Sequence, residues 1–443
     1  MPVPLKPFIR VITINFDGGA MTLDCLRSLD AVEWPKDRLE IVMVDNASVD
    51  GIVDRVRSQF PHVRVIEPFA NLGFSGGCNV GIRAPGAWDY VALINNDATV
   101  EPDWLAPLVE TLESDPHIGA GSPKMLFDGR FRGLRIDADT DEPNARTIRM
   151  TGLRAASGED VSSSASFDEG VGINLHETRF DRWMRPHAEV RWRSSDAGRS
   201  PSVVEIELSA PVERTVRLST PEHVQTVTVG PTPVWFCVSL DHEPFDVVNN
   251  AGSNLFTGGR GGDRGFLERD RGQYDEPADI FAWCGGAVLL RRAYLDDVGL
   301  FDERFFLYYE DTDLAWRGRL AGWRYVYVPN STVRHRHAAS SGGEGAALFR
   351  FYVQRNRLLM LVRSAPVSLV VRAVGGDVFR VGWAVRSAVA PLKHGRRPSF
   401  RAVREQCRAL ASFAKVAPAV ARDRLRGRPV VDRASLLSWM VHK

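Results

Sequence analysis

Between residues 8 and 127, short apolar runs alternate with helix-like segments, and this alternation limits the folds that the chain can adopt. Short apolar strands separated by helices predict a mostly parallel sheet with helices on both faces. Ligands of such sheets bind at the carboxyl ends of the strands. The predicted strands are 8–14, 41–44, 63–66 and 90–94, and the predicted helices are 21–29, 52–59, 75–82 and 102–112.

Polar residues follow three of these predicted strands. Asn15 follows the first, Asp45 and Asn46 the second, and the run Asn95-Asn96-Asp97 the fourth. Alone, an Asn-Asn-Asp run is typical of a turn that caps the next helix. Beside the other polar strand ends, Asp97 is also well placed to bind a divalent cation, because Mg²⁺ and Mn²⁺ prefer hard oxygen ligands and often bind with a diphosphate.

Two further segments carry residues suited to binding or catalysis. The run "NLGFSGGCNVGI", residues 71–82, is predicted to be a glycine-rich turn into a helix, where Gly76 and Gly77 would allow close approach of a ligand. The run "YYEDTDLAWR" places Glu310, Asp311 and Asp313 in the first turn of a predicted helix. These acids either complement the helix dipole or supply a general base for an acceptor hydroxyl.

Histidine, cysteine and glycine residues extend the candidate site. His335 and His337 in "VRHRHAASSGG" either line a surface or bring one imidazole to the cation at Asp97. The run "FAWCGGAVLL" is predicted to be a strand, and Cys284 in it is more typical of a buried structural cysteine than of a nucleophile. Gly285 and Gly286 would let a substrate approach the main chain.

The middle of the chain differs in character. Residues 129–275 contain alternating runs such as "SVVEIELS", "RTVRLST" and "VQTVTV", which predict a small antiparallel β module. We expect residues 160–250 of it to fold separately and to bind a glycan or a partner through Trp183, Trp192 and Trp235, although at least one of these is expected in the core. The glycine-rich run "NNAGSNLFTGGRGGDRG" is predicted to be a mobile loop.

The charge of the chain is uneven. From residue 345 onward about 20 Lys and Arg face about 4 Asp and Glu, so the tail carries roughly +16 and the rest roughly −15. The tail is predicted to form helices with apolar and Arg-rich faces. We expect them to bind an anionic membrane surface rather than nucleic acid, and a basic lid on the acidic domain is the alternative. The five cysteines without CxxC spacing indicate a reducing compartment, and no signal peptide or membrane span is expected.

The order of the motifs is more specific than any one of them. "VITINF", "IVMVDNASVDG", "NLGFSGGCNVGI", "ALINNDATVEPDWL", "CGGAVLLRR", "GLFDERFFLYYEDTDLAWRGRLAGW" and "VRHRHAASS" occur in sequence. Together they resemble the family 2 glycosyltransferases of GT-A fold, in particular the rhamnosyltransferase-like branch, over roughly residues 8–128 and 275–360. The domains expected from this resemblance are a nucleotide-sugar half, 1–128, the insert, 129–275, an acceptor and catalytic half, 276–345, and the basic tail, 346–443.

The resemblance implies a nucleotide-sugar donor, inversion at the anomeric carbon and a role for each motif. Asp97 would bind Mg²⁺ or Mn²⁺ with help from His335, and Asp311 would be the base, paired with Glu310. Asn95 stands where the family has the first Asp of its DXD motif, which removes one charge from the metal site. The residues implied for donor binding are Asn15, Asp45, Asn46, Asn71, Gly73, Gly76, Gly77, Asn79, Asn95 and Asn96. Those proposed for acceptor binding are Trp283, Cys284, Gly285 and Gly286.

The expected activity is transfer of a sugar, with dTDP-rhamnose as one donor candidate, to a glycan or polyprenyl-linked acceptor in cell-surface polysaccharide synthesis. The expected location is the cytoplasmic face of the cell membrane, with the protein peripherally bound. A non-catalytic glycan-binding protein on a degenerate glycosyltransferase scaffold is the alternative. A sugar nucleotidyltransferase is disfavoured, since "NFDGGAMTLD" after the first strand has no basic residue.

Overall fold

The structure, a computed structural model, describes residues 5–140, 147–161, 165–167, 171–173, 182–194, 202–336, 347–390 and 398–442. The chain forms two compact units. An α/β unit comprises residues 1–126, 250–264 and 273–443, and a β unit comprises 127–249 and 265–272. The predicted insert, 129–275, overlaps the β unit, whereas 250–264 and 273–275 group with the α/β unit.

The first part of the α/β unit alternates strands and helices as predicted. Its elements are β1 Ile9–Asn15, α1 Gly19–Asp30, β2 Leu39–Asp45, α2 Ile52–Gln59, β3 Arg64–Ile66, α3 Gly73–Arg83, β4 Tyr90–Asn95, β5 Ala98–Val100, α4 Leu105–Ser114 and β6 Ile118–Phe127. β1, β2 and β4 are buried almost throughout, as expected for strands covered on both faces.

The strands of the β unit lie between the two parts of the α/β unit in sequence. They are β7 Arg130–Ala138, β8 Ile148–Ala155, β9 Ala165–Phe167, β10 Val171–Ile173, β11 Arg182–Met184, β12 His187–Ser194, β13 Val203–Ser209, β14 Arg214–Ser219, β15 Val224–Val229, β16 Val234–Ser239 and β17 Val248–Asn250.

The remaining elements complete the α/β unit. They are β18 Ser253–Phe256, β19 Arg260–Asp263, β20 Ala278–Asp279, β21 Ala287–Arg291, α5 Arg292–Val298, α6 Glu310–Leu320, β22 Arg324–His335, α7 Ala347–Ser364, α8 Val367–Val389, α9 Arg401–Arg426 and β23 Met440–Val441.

The main sheet has the strand order β20-β22-β6-β21-β4-β1-β2-β3. β4, β1, β2 and β3 are parallel, whereas β21 runs antiparallel to β4 and β6. The register pairs Asn15 with Asp45 and Ile14 with Asn95, so the polar strand ends meet at one edge of the sheet. The predicted α/β fold with an antiparallel insert and a helical tail is confirmed.

Two local predictions are wrong. The strand predicted over "FAWCGGAVLL" begins only at Ala287. The main chain before it forms a turn, in which the Ala287 amide donates to the Cys284 carbonyl and the Gly285 amide donates to the Asp311 carboxylate. The glycine-rich run predicted to be a loop contains β18 and β19, which pair antiparallel, and β23 pairs parallel to β18. Gly258 and Gly259, both with positive φ, form the tight connection between β18 and β19.

The tail is helical, as predicted, but much of it packs on the α/β unit. Residues 358–361 of α7 are almost completely buried, and the Arg363 side chain pairs with Asp302 and Asp313. This packing corresponds to the basic-lid alternative for α7. Along the parts of the tail that are described, and elsewhere in the described chain, no helix is both long and apolar enough to cross a membrane.

The β unit consists of two antiparallel five-stranded sheets, with orders β10-β11-β8-β13-β16 and β15-β14-β7-β12-β9. Leu134 and Val190 of one sheet and Met150 and Ile206 of the other lie in one buried cluster. β7 and β8 are interior strands of the two sheets, so residues 160–250 alone would lack essential strands. The separately folding segment predicted over 160–250 is therefore too short.

The three tryptophans singled out in the β unit differ in burial. Trp192 is 1% exposed and belongs to the core, so it was wrongly included among the binding candidates. Trp235 is 37% exposed, and the Arg154 guanidinium lies 4.0 Å from its ring centroid. Trp183 is half-buried, with the Arg149 guanidinium 6.0 Å from its ring centroid. Trp183 and Trp235 thus remain the aromatic candidates of this unit.

Candidate active site at the strand ends

The ends of β1, β2 and β4 hold a buried hydrogen-bond network. The Asn15 side-chain amide donates to Asp45 Oδ1 at 2.7 Å, and the Thr22 hydroxyl and the Asn96 amide both donate to Asn15 Oδ1, at 2.6 and 3.0 Å. The Ser48 hydroxyl also donates to Asp45 Oδ1, at 2.6 Å. Three of the predicted donor-binding residues, Asn15, Asp45 and Asn96, are therefore brought together.

Gly18 borders this network and was missed as a site residue. A Cβ atom at this position would lie 2.1 Å from Asn96 Nδ2 and 2.6 Å from Asn15 Oδ1, so a larger residue would displace the amides. The signal was present in the sequence, since the pair Gly18 and Gly19 lies only two residues beyond Asn15 at the end of the first strand. Thr22, one helical turn further on, was also missed.

The glycine-rich segment is organised differently from the prediction. α3 already begins at Gly73, which has a φ of +69°, so Gly76 and Gly77 lie inside the helix rather than in a turn. A Cβ atom on Gly77 would lie 3.0 Å from the Ile14 side chain. Both glycines are buried, and the Gly77 contact shows that close packing of α3 on β1 is one reason for glycine here.

Asparagine side chains hold the start of α3 in place. The Asn46 amide donates to the Gly73 carbonyl at 2.9 Å, and Asn71 Oδ1 accepts from the Gly73 amide at 2.9 Å. Asn79 lies outside this arrangement. Its side-chain amide donates to the carbonyl of Phe301 and to Glu303, both at 2.9 Å, and its Oδ1 accepts from the amide of Phe301. Asn79 therefore positions the segment before α6, and we no longer propose it for donor binding.

Asp97 and His335 form a buried pair. His335 Nε2 lies 3.0 Å from Asp97 Oδ1, and Asn95 Nδ2 lies 3.3 Å from the same imidazole nitrogen. β22 pairs antiparallel with β5 and sets His335 opposite Ala98, which directly follows Asp97. In the described ranges, no group of three or more His, Cys, Asp or Glu residues is arranged to hold a metal ion. His337 lies outside the described residues.

One carboxylate and one imidazole nevertheless fit a cation that also binds substrate. Mg²⁺ and Mn²⁺ sites in proteins often use one or two protein carboxylates, and substrate phosphates complete the coordination. Asp97 and His335 would offer such a cation one oxygen and one nitrogen ligand. Asn95 contributes no charge, so the pair alone would hold a cation weakly.

Asp311 lies at the start of α6 with its carboxylate held by main-chain amides. The amide of Gly285 donates to Oδ2 at 3.0 Å, and the amide of Thr312 donates to Oδ1 at 2.5 Å. Burial raises the pKa of the Asp311 carboxyl above its usual value, and these hydrogen bonds oppose the shift. A buried carboxylate with a raised pKa is a better proton acceptor than a surface aspartate.

Glu310 is more deeply buried than Asp311. It is 5% exposed, and its Oε2 has no hydrogen-bond partner among the described residues. Burial, followed by the nearby charge of Asp311, raises the pKa of the Glu310 carboxyl well above its usual value. Burial therefore disfavours the ionised form of Glu310.

The turn at Gly285 and Gly286 links the two halves of the site. Besides the Gly285 amide bound to Asp311, the Gly286 carbonyl accepts from the Asn95 amide at 2.9 Å. A Cβ atom on Gly286 would lie 3.5 Å from Asn95 Nδ2. The main chain of Gly285 and Gly286 therefore connects Asp311 with Asn95, and the Asn95 side chain contacts His335.

The other two acceptor candidates differ in exposure. Trp283 is fully buried, with its ring packed against Phe301 at a centroid distance of 6.0 Å, so it belongs to the core and not to the acceptor surface. Cys284 is partly exposed. Burial, then the charge of Asp263, raises the pKa of the Cys284 thiol well above its usual value. This agrees with the prediction that Cys284 is not a nucleophile.

The segment before Asp311 is strained and braced. Phe306, Tyr308 and Tyr309 have φ angles of +66°, +68° and +68°, which non-glycine residues rarely adopt. The Asn356 side-chain amide on α7 donates to the carbonyls of this segment, including that of Tyr308. Asn356 was missed because it lies in the tail; its signal was a polar run, "RNR", directly before the apolar run "LLML".

A polar pocket of parallel strand ends beside a buried acid at a helix start defines this as an α/β protein with an enzyme-like site. Residues 10–159 match the sequence model of the family described as "Glycosyl transferase family 2". The family resemblance is therefore confirmed over these residues.

Relatives in the curated collections match over shorter or weaker stretches. N-acetylglucosaminyl-diphospho-decaprenol L-rhamnosyltransferase of Mycobacterium tuberculosis is 48% identical over 66 residues, which are 15% of this chain and 22% of that protein. The succinoglycan biosynthesis protein ExoM of Rhizobium meliloti is 28% identical over 27% of this chain and 45% of its own length. The chain thus covers less than half of either relative, and the first match supports the rhamnosyltransferase-like branch.

Solved structures show only distant similarity. GalNAc-T7 with UDP, GalNAc and Mn²⁺ is 12% identical, with a TM-score of 0.44 over 94% of this chain and 55% of that chain. The mannosyltransferase PcManGT from Pyrobaculum calidifontis in complex with GDP-Man and Mn²⁺ is 15% identical, with a TM-score of 0.39 over 98% of this chain and 79% of that one.

Proposed function

We propose that this protein is an inverting glycosyltransferase that transfers a sugar from a nucleotide-diphosphate donor to a glycan or lipid-linked acceptor in cell-surface polysaccharide synthesis. One observation carries the proposal. The main chain of Gly285 and Gly286 binds the Asp311 carboxylate at one end and Asn95, the neighbour of His335, at the other. A base and a diphosphate site would thus flank one short turn, as a single displacement requires.

Asp311 is the proposed base. Its carboxylate would take the proton from the acceptor hydroxyl as the oxygen attacks the anomeric carbon, and a single displacement inverts that carbon. The amides of Gly285 and Thr312 fix the orientation of the carboxylate. The raised pKa of the Glu310 carboxyl disfavours a second negative charge beside Asp311.

The donor would bind along the strand ends. Asp45, held by Asn15 and Ser48, is proposed to contact the base or ribose, and Asn96 shapes the same pocket. Asp97 and His335 are proposed to hold Mg²⁺ or Mn²⁺ against the diphosphate. The cation, when bound, would offset the negative charge that gathers on the leaving nucleoside diphosphate.

The donor and acceptor classes rest on the relatives. The curated relative with 48% identity is named as an L-rhamnosyltransferase that acts on an N-acetylglucosaminyl-diphospho-decaprenol. We therefore propose dTDP-rhamnose as the first donor to test and a polyprenyl-linked glycan as the acceptor class. The glycan-binding role proposed for the β unit would be to hold a longer acceptor through Trp183 and Trp235.

A peripheral location at the cytoplasmic face of the membrane would suit a lipid-linked acceptor. α8 supports it, because its side chains Val371, Phe379 and Trp383 are 65%, 76% and 65% exposed, and Arg372 and Arg386 are also exposed on this helix. An interfacial helix buries such apolar side chains at the lipid boundary and keeps arginine at anionic headgroups.

The activity is tested by a donor screen on the purified full-length protein. Nucleotide sugars, beginning with dTDP-rhamnose and UDP-linked sugars, are titrated by calorimetry with Mg²⁺ or Mn²⁺, and release of nucleoside diphosphate is then measured. We expect one donor to bind and to be hydrolysed slowly without acceptor. Donor binding without any turnover, with or without glycan acceptors, would instead identify a non-catalytic glycan-binding protein.

A further inference from the structure

A cavity lies away from the strand ends, between the segment after α5, the end of α6, α7 and the end of α9. Its volume is about 390 Å³, and its apolar wall includes Leu300 and Leu320. None of the residues proposed above for donor, metal or base lines it. Six arginines do: Arg304, Arg317, Arg363, Arg424, Arg428 and Arg433.

Carboxylates neutralise the inner arginines of this cavity. Arg304 pairs with Asp302 and Asp423, and Arg363 pairs with Asp302. Arg317 pairs with Asp313 of α6 at 3.0 Å. These ion pairs explain why the inner arginines are present without any ligand.

The ion pairs described above do not involve the three outer arginines, Arg424, Arg428 and Arg433. Arg424 donates to the carbonyls of Val362 and Ala365, and Arg433 donates to those of Arg363 and Ser364. A guanidinium has five N–H donors, so each keeps donors that these bonds do not use. Arg428 is exposed at the rim, and no hydrogen bond of its side chain to a described residue is observed.

Two buried polar atoms on the cavity lining point to a missing partner. Ser364 is fully buried and Arg363 is 7% exposed, yet Ser364 Oγ and Arg363 Nε have no hydrogen-bond partner among the described residues. An unpaired buried polar atom costs free energy of about 1–3 kcal/mol. Both residues line the cavity.

The electrostatics of the outer arginines favour an anion. Burial lowers the pKa of the Arg433 guanidinium, and the nearby charge of Arg424 lowers it further. Burial also lowers the pKa of the Arg424 guanidinium. Cations that repel each other in a partly buried cavity are stabilised when an anion binds between them.

We propose that this cavity is a binding site for a phosphate-bearing ligand, a phosphomonoester or a diphosphate, separate from the donor site. Arg424, Arg428 and Arg433 would bind the phosphate oxygens, Ser364 would donate its hydroxyl, and the apolar wall would contact the ligand's uncharged part. The phosphate could be carried by a soluble metabolite or by a lipid headgroup, and the two sources are separable by experiment.

The test uses inorganic pyrophosphate, titrated into the full-length protein by calorimetry in the presence of EDTA, so that the cation-dependent donor site does not contribute. We expect one saturable site. Arg428→Gln, which removes no described structural hydrogen bond, and Arg424→Gln should each weaken binding by about tenfold, as expected for loss of a charge-assisted hydrogen bond. Arg422→Gln, an exposed arginine of the same helix that does not line the cavity, should bind normally.

A fold control and a source control complete the experiment. Melting temperatures of the variants without ligand show whether a loss of affinity reflects unfolding, and Ser364→Ala provides a second variant that removes an unpaired hydroxyl.

A lipid source of the phosphate is tested with two kinds of phosphatidylcholine vesicles, one containing phosphatidic acid and the other containing phosphatidylglycerol. Competition with pyrophosphate would support the site and assign a lipid phosphomonoester; pyrophosphate binding without such competition would support it with a soluble ligand. Absence of pyrophosphate binding, or equal affinity in Arg428→Gln, Arg424→Gln and the unaltered protein, would overturn the proposal.

Discussion

The side-chain amide of Asn356 donates to the main-chain carbonyl of Tyr308 at 2.7 Å. The same amide lies 2.9 Å from the carbonyls of Phe305 and of Leu307. These acceptors belong to the strained segment that leads into α6 and Asp311. One side chain of the tail helix α7 therefore holds the backbone conformation on which the position of the proposed base depends.

Asn356→Ala should lower turnover much more than donor affinity. The carbonyls would lose their donor, the positive-φ segment could relax, and a displacement of the base by about 1 Å can cost up to roughly a hundredfold in rate. Initial rates and donor titrations measure the two effects separately. Gln354→Ala changes the other amide of α7 and is the control; equal turnover in both variants would contradict this role.

Asp311→Asn should cut turnover by about two or more orders of magnitude, since an amide cannot accept the proton of the acceptor hydroxyl. Asn retains the shape of Asp, so donor binding should change little. Steady-state kinetics together with donor calorimetry test this. Near-normal turnover in the variant would remove Asp311 from the role of base.

The pH dependence should show the raised pKa of Asp311. The base acts only when ionised, so kcat/KM falls as pH drops through its pKa, and burial places that midpoint above the ordinary value of 3.8. Glu310→Gln should leave the midpoint nearly unchanged, because burial is the largest cause of the raised pKa of Asp311 and the charge of Glu310 is not among its causes. A midpoint at or below 3.8, or one that disappears with Glu310→Gln, would refute the assignment.

Asp97→Ala should weaken cation-dependent donor binding by about tenfold or more, because a charged ligand of the proposed site is lost. His335→Ala should have a smaller effect in the same direction. Donor titrations with Mg²⁺, with Mn²⁺ and with EDTA measure the dependence. Asp103→Ala, an exposed acid before α4, is the control. Full donor binding in EDTA by both the unaltered protein and Asp97→Ala would show that no cation is involved.

Replacing Phe379 and Trp383 together with serine should reduce binding to anionic liposomes. Each removes exposed apolar area from α8, and burial of such area is worth about 25 cal/mol per Å². Sedimentation with vesicles at low and high salt measures the loss. Leu425→Ser, an exposed leucine on α9, controls for general surface polarity. If the unaltered protein ignores the vesicles at low salt, the membrane proposal fails.

The sequence pattern predicted those features that depend on neighbouring residues, namely the buried strands, their polar ends and the helix that begins near Asp311. β1, β2 and β4 were predicted within about two residues because strands buried on both faces must be apolar throughout. The polar strand ends were predicted to meet because parallel strands end at one edge, and the register of Asn15 with Asp45 confirms it. The location of Asp311 at a helix start followed from its acidic, helix-forming context.

What was missed depends on contacts distant in sequence. Glycines in residues 250–264 are typical of a loop, yet β18 forms a strand because β19 and β23 supply its hydrogen bonds. Trp283 was placed near the acceptor because its neighbours are glycines, although it packs on Phe301 in the core. Asn356 could be assigned no role before the segment it braces was located in space.

The pairing of β18 with β23 also sets an order of events during synthesis. Residues 253–256 leave the ribosome long before Met440 and Val441, and until then the edge of β18 that β23 occupies has no partner. The hairpin of β18 and β19 also contacts the segment before α6, because the Gly261 amide donates a hydrogen bond to the Tyr309 hydroxyl at 3.2 Å. We therefore expect nascent chains to complete this corner of the α/β unit only after residues 440–441 have been synthesised.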